Sequence, residues 1–282
     1  MWVVSIFAHL FSDTGYSTLL RHAAFGKKYD SLFLAAVLAT GVALPGIPGI
    51  FIAHVDLTRL ETRQILLYIA AVAVTMVFHF ANANALKNTE ASIFAFLYNF
   101  RIGFATVLGI LFLAEAVHPL RIAGGALVFA AGFLLMGRSG VKRVGVLWSM
   151  LVALMFSVMV AIEKVLIAEI GFADYMFSKT LITAGLLWLV VFIGKRPVSM
   201  DLFRRREIIG MLIFRCVSAY GLMYAIALGA LVSVATYISS LSCITTSIAG
   251  IIFLKEKESL SKKVVSGIVA FAGITLIFLA MR

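Results

Sequence analysis

Ser5, His9, Asp13, Ser17 and Arg21 recur every four residues in a stretch that is otherwise apolar. Side chains at that interval share one face of an α-helix, so the five form a polar stripe. His9 and Asp13 can exchange protons, and the serines can donate or accept hydrogen bonds. Two further arginines stand inside apolar runs: Arg101 one helical turn after Tyr98, and Arg215 beside the face formed by Cys216, Tyr220 and Tyr224. A guanidinium grips carboxylate or phosphate through paired hydrogen bonds. These residues suit an anionic or zwitterionic small molecule, with His9, Asp13 and His79 as candidates for proton coupling. The competing reading is structural: Asp13 or Glu163 pairs with an arginine of another helix, and the stripe is a packing network.

Thr75, His79 and Asn82 share a face further along. Near residue 240 the chain is rich in hydroxyls, with Tyr237, Ser239, Ser240, Ser242, Thr245, Thr246 and Ser247. Such hydroxyls also serve helix packing, and only some need line a cavity. The candidate substrate-binding set is Asp13, Tyr98, Arg101, Arg215, Tyr220, Tyr224, Tyr237 and Ser239. The tyrosine rings would pack on an apolar or aromatic part of the substrate. Glu163 and Lys164 are expected to pair with neighbours or cap a gate, while Glu115 and Glu256 are expected to serve turns. No nucleotide-binding loop, zinc spacing or nucleophile–His–acid arrangement is present, so neither an enzyme, a metal site nor a cofactor is expected. Cys216 and Cys243 lie in apolar runs and read as buried thiols rather than a disulfide or metal pair.

These residues must be held in a chain that is 62% hydrophobic and only 13% charged, with a mean hydropathy of +1.07. So few charges cannot cover the surface of a soluble fold, and lipid must form part of the solvent. The net charge of +11 does not point to nucleic acid, because the basic residues cluster between apolar runs, as in Lys27-Lys28, Lys142-Arg143, Arg204-Arg205-Arg206 and Lys262-Lys263. Positive residues flanking membrane spans give that pattern. A helix needs about 20 apolar residues to cross a bilayer. Ten candidate spans follow: 2–22, 31–53, 64–84, 90–114, 119–137, 144–167, 173–194, 207–228, 231–254 and 263–281. Met1 to Phe11 reads as the start of the first span, since no basic residue precedes it and no small-residue cleavage pattern follows.

The two halves of the chain resemble each other. A constant offset of 141 aligns Ser92 with Ser233, Gly109 with Gly250, Ile110 with Ile251, Phe112 with Phe253 and Glu115 with Glu256. It also aligns Val128 with Val269, Ala131 with Ala272, Gly132 with Gly273 and Leu135 with Leu276. Matched Gly and Glu positions are harder to obtain by chance than matched aliphatics. The reading is an all-α membrane protein of ten transmembrane helices built as two five-helix repeats, residues 1–138 and 143–282. An odd number of spans per half makes the second half enter the membrane from the opposite side. Many secondary transporters use such inverted repeats, with the substrate near the midplane between the halves.

At the motif level, "IFLKEKESLSKKVVSGIVAFAGITLI" (Ile252 to Ile277) resembles the EamA family of the drug/metabolite transporter superfamily, and "LFLAEAVHPLRIAGGALVFAAGFLL" (Leu111 to Leu135) is the first-half copy. "YAIALGALVSVATY" (Tyr224 to Tyr237) looks like that family's passage from the eighth helix to the ninth. The family's usual Gly before the motif Glu is Ala114 in one half and Lys255 in the other. The resemblance implies export or exchange of small metabolites. The expectation is thus a secondary active or facilitative transporter of a small polar metabolite, amino-acid-like or otherwise anionic or zwitterionic, working by alternating access in the inner membrane. The alternative is a flippase for a phosphate-bearing lipid. Partners would be a small-molecule substrate and membrane lipid, with a monomer or homodimer as the assembly. Basic residues concentrate after the odd-numbered spans, which places both termini outside the cytoplasm.

Overall fold

A computed structural model describes residues 2–24, 29–53, 58, 60–113, 118–136, 142–199, 202–228, 239–240, 242–254 and 260–280. Among these residues the architecture is all-helical. The helices are α1 (Trp2–Ala24), α2 (Ser31–Ala43), α3 (Gly46–Ala53), α4 (Thr62–Asn88), α5 (Ala91–Tyr98) and α6 (Phe100–Leu113). They continue with α7 (Pro119–Met136), α8 (Arg143–Ile170), α9 (Phe172–Ile193), α10 (Arg206–Ala227), α11 (Ser242–Phe253) and α12 (Leu260–Leu279). Four of them, α4, α8, α9 and α10, are long and apolar enough to cross a membrane, and shorter apolar helices accompany them. Large apolar side chains stand exposed on the outer faces, among them Phe11, Leu66, Leu147, Phe192 and Ile268. That is a surface suited to lipid.

Two expected continuous helices are broken. The segment 31–53 divides at Leu44 and Pro45 into α2 and α3, because proline cannot supply the backbone N–H that a helix interior requires. The segment 90–114 divides at Asn99, between α5 and α6. No proline or glycine marks this second break. The Asn99 amide is buried with neither its nitrogen nor its oxygen hydrogen-bonded.

Helix starts follow local chemistry. Asp30 caps α2, its carboxylate accepting the backbone N–H groups of Leu32 and Phe33 at 2.9 and 3.2 Å, as N-cap residues do. Gly171, at φ 91°, ends α8 and starts α9 with no other residue between them. That backbone conformation is one that glycine adopts and side chains resist. The resulting tight hairpin brings Glu163 and Lys179 level, each two turns from Gly171.

The principal packing pairs each join the first half of the chain to the second: α1 with α10, α4 with α8, α2 with α9, α7 with α12 and α5 with α11. Close crossings need small residues. A Cβ on Gly145 of α8 would stand 2.7 Å from the Asn88 carbonyl oxygen of α4, and one on Gly273 of α12 would stand 2.6 Å from the Gly124 carbonyl oxygen of α7. The stripe on α1 turns inward, since His9, Asp13, Ser17 and Arg21 are all buried while Val3, Val4, Phe7 and Phe11 face outward.

The two ends of the bundle differ. At one, Arg196 lies 3.8 Å from Asp30, Lys87 donates to the Tyr29 carbonyl at 2.6 Å, and Arg21 donates to the Leu86 carbonyl at 2.9 Å. Phe33 meets Trp188 and Phe203 edge-on just inside that end. At the other, Arg63 and Gln64 of α4 both donate to the Glu169 carboxylate of α8, at 2.9 and 3.2 Å.

Replacing Gly273 with alanine should push α7 and α12 apart and cost about 1–3 kcal/mol, as overpacking does. Gly125→Ala on α7, where the added Cβ meets open space, should be neutral. Thermal denaturation of the two variants in detergent checks the difference.

Candidate functional site

A cavity lies among α1, α2, α4, α5, α8, α9 and α10. Its ionisable lining is His9, Asp13, His79, Tyr98, Glu163, Lys179 and Arg215. Hydroxyl residues, among them Thr75 and Thr180, and apolar ones, notably Val42, Phe156 and the methionines Met159, Met176 and Met223, complete the wall. Polar groups set in an apolar wall are the usual form of a small-molecule site. The lining from α2, α8, α9 and α10 includes Val42, Glu163, Lys179 and Met223, which lie in the parts of those helices away from the Asp30–Arg196 end. The cavity therefore sits toward the opposite end of the bundle.

His9 occupies a hydrogen-bond chain whose direction the donors fix. Arg101, which can only donate, gives Nη2–H to Ser239 Oγ at 3.0 Å. Ser239 and His9 Nε2 are 2.8 Å apart, and His9 Nδ1 lies 2.7 Å from the Ser218 carbonyl oxygen. That carbonyl only accepts, so Nδ1 carries a hydrogen; with a neutral ring, Nε2 then accepts from Ser239. Both ring nitrogens are engaged. The Ser218 hydroxyl in turn donates to Asp13 Oδ1 at 3.3 Å. This chain stitches α6, Ser239, α1 and α10 together beside the cavity.

The two arginines differ in their surroundings. Arg101 is only 2% exposed and is the largest fully buried side chain described. Its guanidinium lies 4.2 Å from the Tyr98 ring centroid and 5.0 Å from that of Phe156, and its backbone carbonyl accepts the Ser157 hydroxyl at 2.7 Å. Cation–ring contacts of this kind gain strength away from water. Arg101 is thus set behind Tyr98 and Phe156, which themselves face the cavity. Arg215 faces the cavity directly. Its guanidinium lies over Tyr16 at 5.0 Å and Phe78 at 5.4 Å, and Nε is buried without a hydrogen-bond partner. Among the described residues neither Arg215 nor Asp13 forms an ion pair.

Glu163 pairs instead with Lys179 of α9, and its Oε1 also receives the Tyr175 hydroxyl at 3.5 Å. The lysine is a cavity residue that sequence reasoning missed. Its signal was present, since Lys179 is a charge inside an apolar span, and such charges are functional candidates. The neighbouring Lys164 is exposed and takes no part.

The remaining expected residues divide. Thr75 and His79 line the cavity, and Asn82 donates to the Tyr16 hydroxyl at 2.7 Å. Tyr220 stands beside it, its hydroxyl 3.4 Å from the cavity residue Thr180 and its ring 6.0 Å from that of Phe177. Tyr224 falls outside the cavity: it is 48% exposed and rests on Phe172 at the outer surface. The face that α10 turns to the cavity is Arg215, Ser218, Ala219, Leu222 and Met223, and Tyr224 stands off that face. Tyr237, Glu115 and Glu256 lie outside the described residues. Cys216 and Cys243 are free thiols. Among the described residues no cluster of three His, Cys, Asp or Glu could hold a metal ion.

The contrast between the arginines is testable. Arg101→Ala removes a stacked, buried side chain and leaves a cavity, and should lower stability by about 3 kcal/mol. Arg215→Ala should leave the melting temperature close to that of the parent. Scanning fluorimetry of both purified variants distinguishes them.

No family model and no curated protein matches the chain. A solved structure described only as "Crystal structure of protein" is similar over 100% of this chain and 98% of its own, at a TM-score of 0.69 and 17% identity. At that identity the likeness is one of fold.

Proposed function

We propose that this chain is a secondary transporter of a small zwitterionic or anionic metabolite, working by alternating access in the inner membrane. Arg215 would hold the substrate's carboxylate, Asp13 would hold a cationic group, and the Met-rich wall would take an apolar portion. The observation that carries this reading is a pair of charges in one cavity that have no counter-ion among the described residues, Arg215 backed by Tyr16 and Phe78 and Asp13 accepting the Ser218 hydroxyl. A charge left without a counter-ion at membrane depth is costly unless a ligand or solvent supplies one. His9, with both ring nitrogens engaged, fits a positioning role for Asp13 and Ser218 better than a proton carrier.

Ten spans arranged as two inverted five-helix halves support the mechanism. Counting α2 with α3 and α5 with α6 gives the second and fourth spans. Exchanging the halves then turns the first–eighth contact (α1 with α10) into the sixth–third contact (α8 with α4). The second–seventh, fourth–ninth and fifth–tenth contacts map onto themselves. Such a pattern is what a two-fold axis in the membrane plane produces. The discontinuity at Asn99, next to Tyr98 and Arg101, is also typical of transporter sites. Membership of the EamA family is part of this proposal and rests on the motif segments. The positive-inside rule puts the Asp30–Arg196 end, with Lys142, Arg143 and Arg204 to Arg206, in the cytoplasm. The cavity then faces the outside.

The test is uptake of a radiolabelled mixture of the protein amino acids into proteoliposomes. Charge-assisted hydrogen bonds contribute about 1.5–3 kcal/mol, so Arg215→Ala and Asp13→Asn should each reduce uptake about ten- to hundredfold with folding retained. Parental uptake in both variants would remove these residues from recognition. Phospholipid scrambling without amino-acid uptake would favour the flippase.

A further inference from the structure

The Glu163–Lys179 pair is a second charged feature of the same cavity, and the reading above does not use it. Both residues line the cavity and both are nearly inaccessible, at 2% and 4% exposure. Glu163 Oε1 receives Lys179 and the Tyr175 hydroxyl, whereas Oε2 is buried with no hydrogen-bond partner. A buried carboxylate with a bare oxygen is under-solvated. Either a proton or a donor arriving in the cavity can satisfy it.

Charged and titratable groups from several helices face Glu163, and the cations among them draw an anion to the same space. From α9, Tyr175 and Lys179 bear on Glu163. From α4, Tyr68 stacks edge-on against Tyr175 at 5.9 Å and gives its hydrogen to Ser178, while His79 shares the cavity. Arg215 of α10 and the α1 pair His9 and Asp13 share the cavity too, and Arg101 lies behind Tyr98. With Glu163 ionised, Lys179 has its counter-ion and is closed to ligands. With Glu163 protonated, Lys179 and the new carboxylic O–H become two donors facing the same space, carrying one net positive charge. That arrangement fits a single carboxylate.

We infer that Glu163 is a proton-binding residue of the cavity, and that its protonation releases Lys179 to hold the carboxylate of a ligand. A proton from solvent adds to Oε2, Lys179 remains an ammonium, and its hydrogen bond passes from Glu163 Oε1 to the incoming carboxylate. Release reverses both steps, so proton and anion bind together and no net charge is added. The inference rests on the transport reading only in taking that carboxylate to belong to a transported solute; the binding equilibrium itself can be measured without transport.

Acetate serves as the probe, with the full-length protein purified in detergent. Acetate should cause proton uptake in weakly buffered solution, and should enlarge the carboxylic-acid C=O band in infrared difference spectra at constant pH. Its affinity should fall about tenfold per pH unit once Glu163 is ionised, as linkage to one proton requires. In Glu163→Gln the acetate affinity should become independent of pH, with no added band. If that variant fails to fold, proton uptake by the parent decides alone. The double variant Glu163→Gln/Lys179→Met, which removes both buried charges together, should then show neither signal. Acetate binding without proton uptake, a band unchanged in Glu163→Gln, or no acetate binding by the parent would each overturn the assignment. None of these results depends on whether amino acids are transported, which the uptake assay decides separately.

Discussion

A charged group enclosed by apolar side chains and lipid has no bulk water to solvate it, so the fold itself must supply its partners. Most of this molecule's interior follows from how that requirement is met. Arg101 is held between Tyr98 and Phe156 and donates to Ser239. Glu163 and Lys179 hold each other. Arg215 and Asp13 are treated differently. They have ring faces and a hydroxyl beside them but no opposite charge within ion-pair reach among the described residues. Two charges prepared in this way are suited to a ligand that brings its own.

The helix geometry exists to hold these groups in register. Gly171 makes the α8–α9 turn so tight that Glu163 and Lys179 meet. Gly145 allows α8 to lie directly on α4, which carries Thr75 and His79 into the same wall. The break at Asn99 separates α5 from α6, with Tyr98 and Arg101 on either side of it. The end of the bundle near Asp30 is clasped by ions and aromatic rings, while the far end is joined through Glu169. An uneven pair of closures is what one conformation of an alternating-access protein would display.

Much of this was legible in the sequence. The four-residue stripe on α1 announced an inward face, and His9, Asp13, Ser17 and Arg21 are buried accordingly. Arg101 and Arg215 stood out as charges in apolar runs, and both lie at the cavity or just behind it. What the sequence hid was the difference between them, because it depends on which rings and hydroxyls other helices bring. The Asn99 break was hidden as well, since no glycine or proline flags it. Tyr224 was misplaced because the sequence does not say which face of α10 turns inward: Leu222 and Met223 reach the cavity, while Tyr224 next to them faces out. Lys179 was overlooked although intramembrane charge alone would have flagged it.

On the proposed function, the cavity opens to each side of the membrane in turn. Ala219 lines that cavity, and a cysteine there, with Cys216 and Cys243 replaced by serine, can report its accessibility. In sealed vesicles of each orientation, a membrane-impermeant thiol reagent should modify Ala219→Cys from both faces. Modification from one face alone under all conditions would mean a fixed pocket, and would contradict the account.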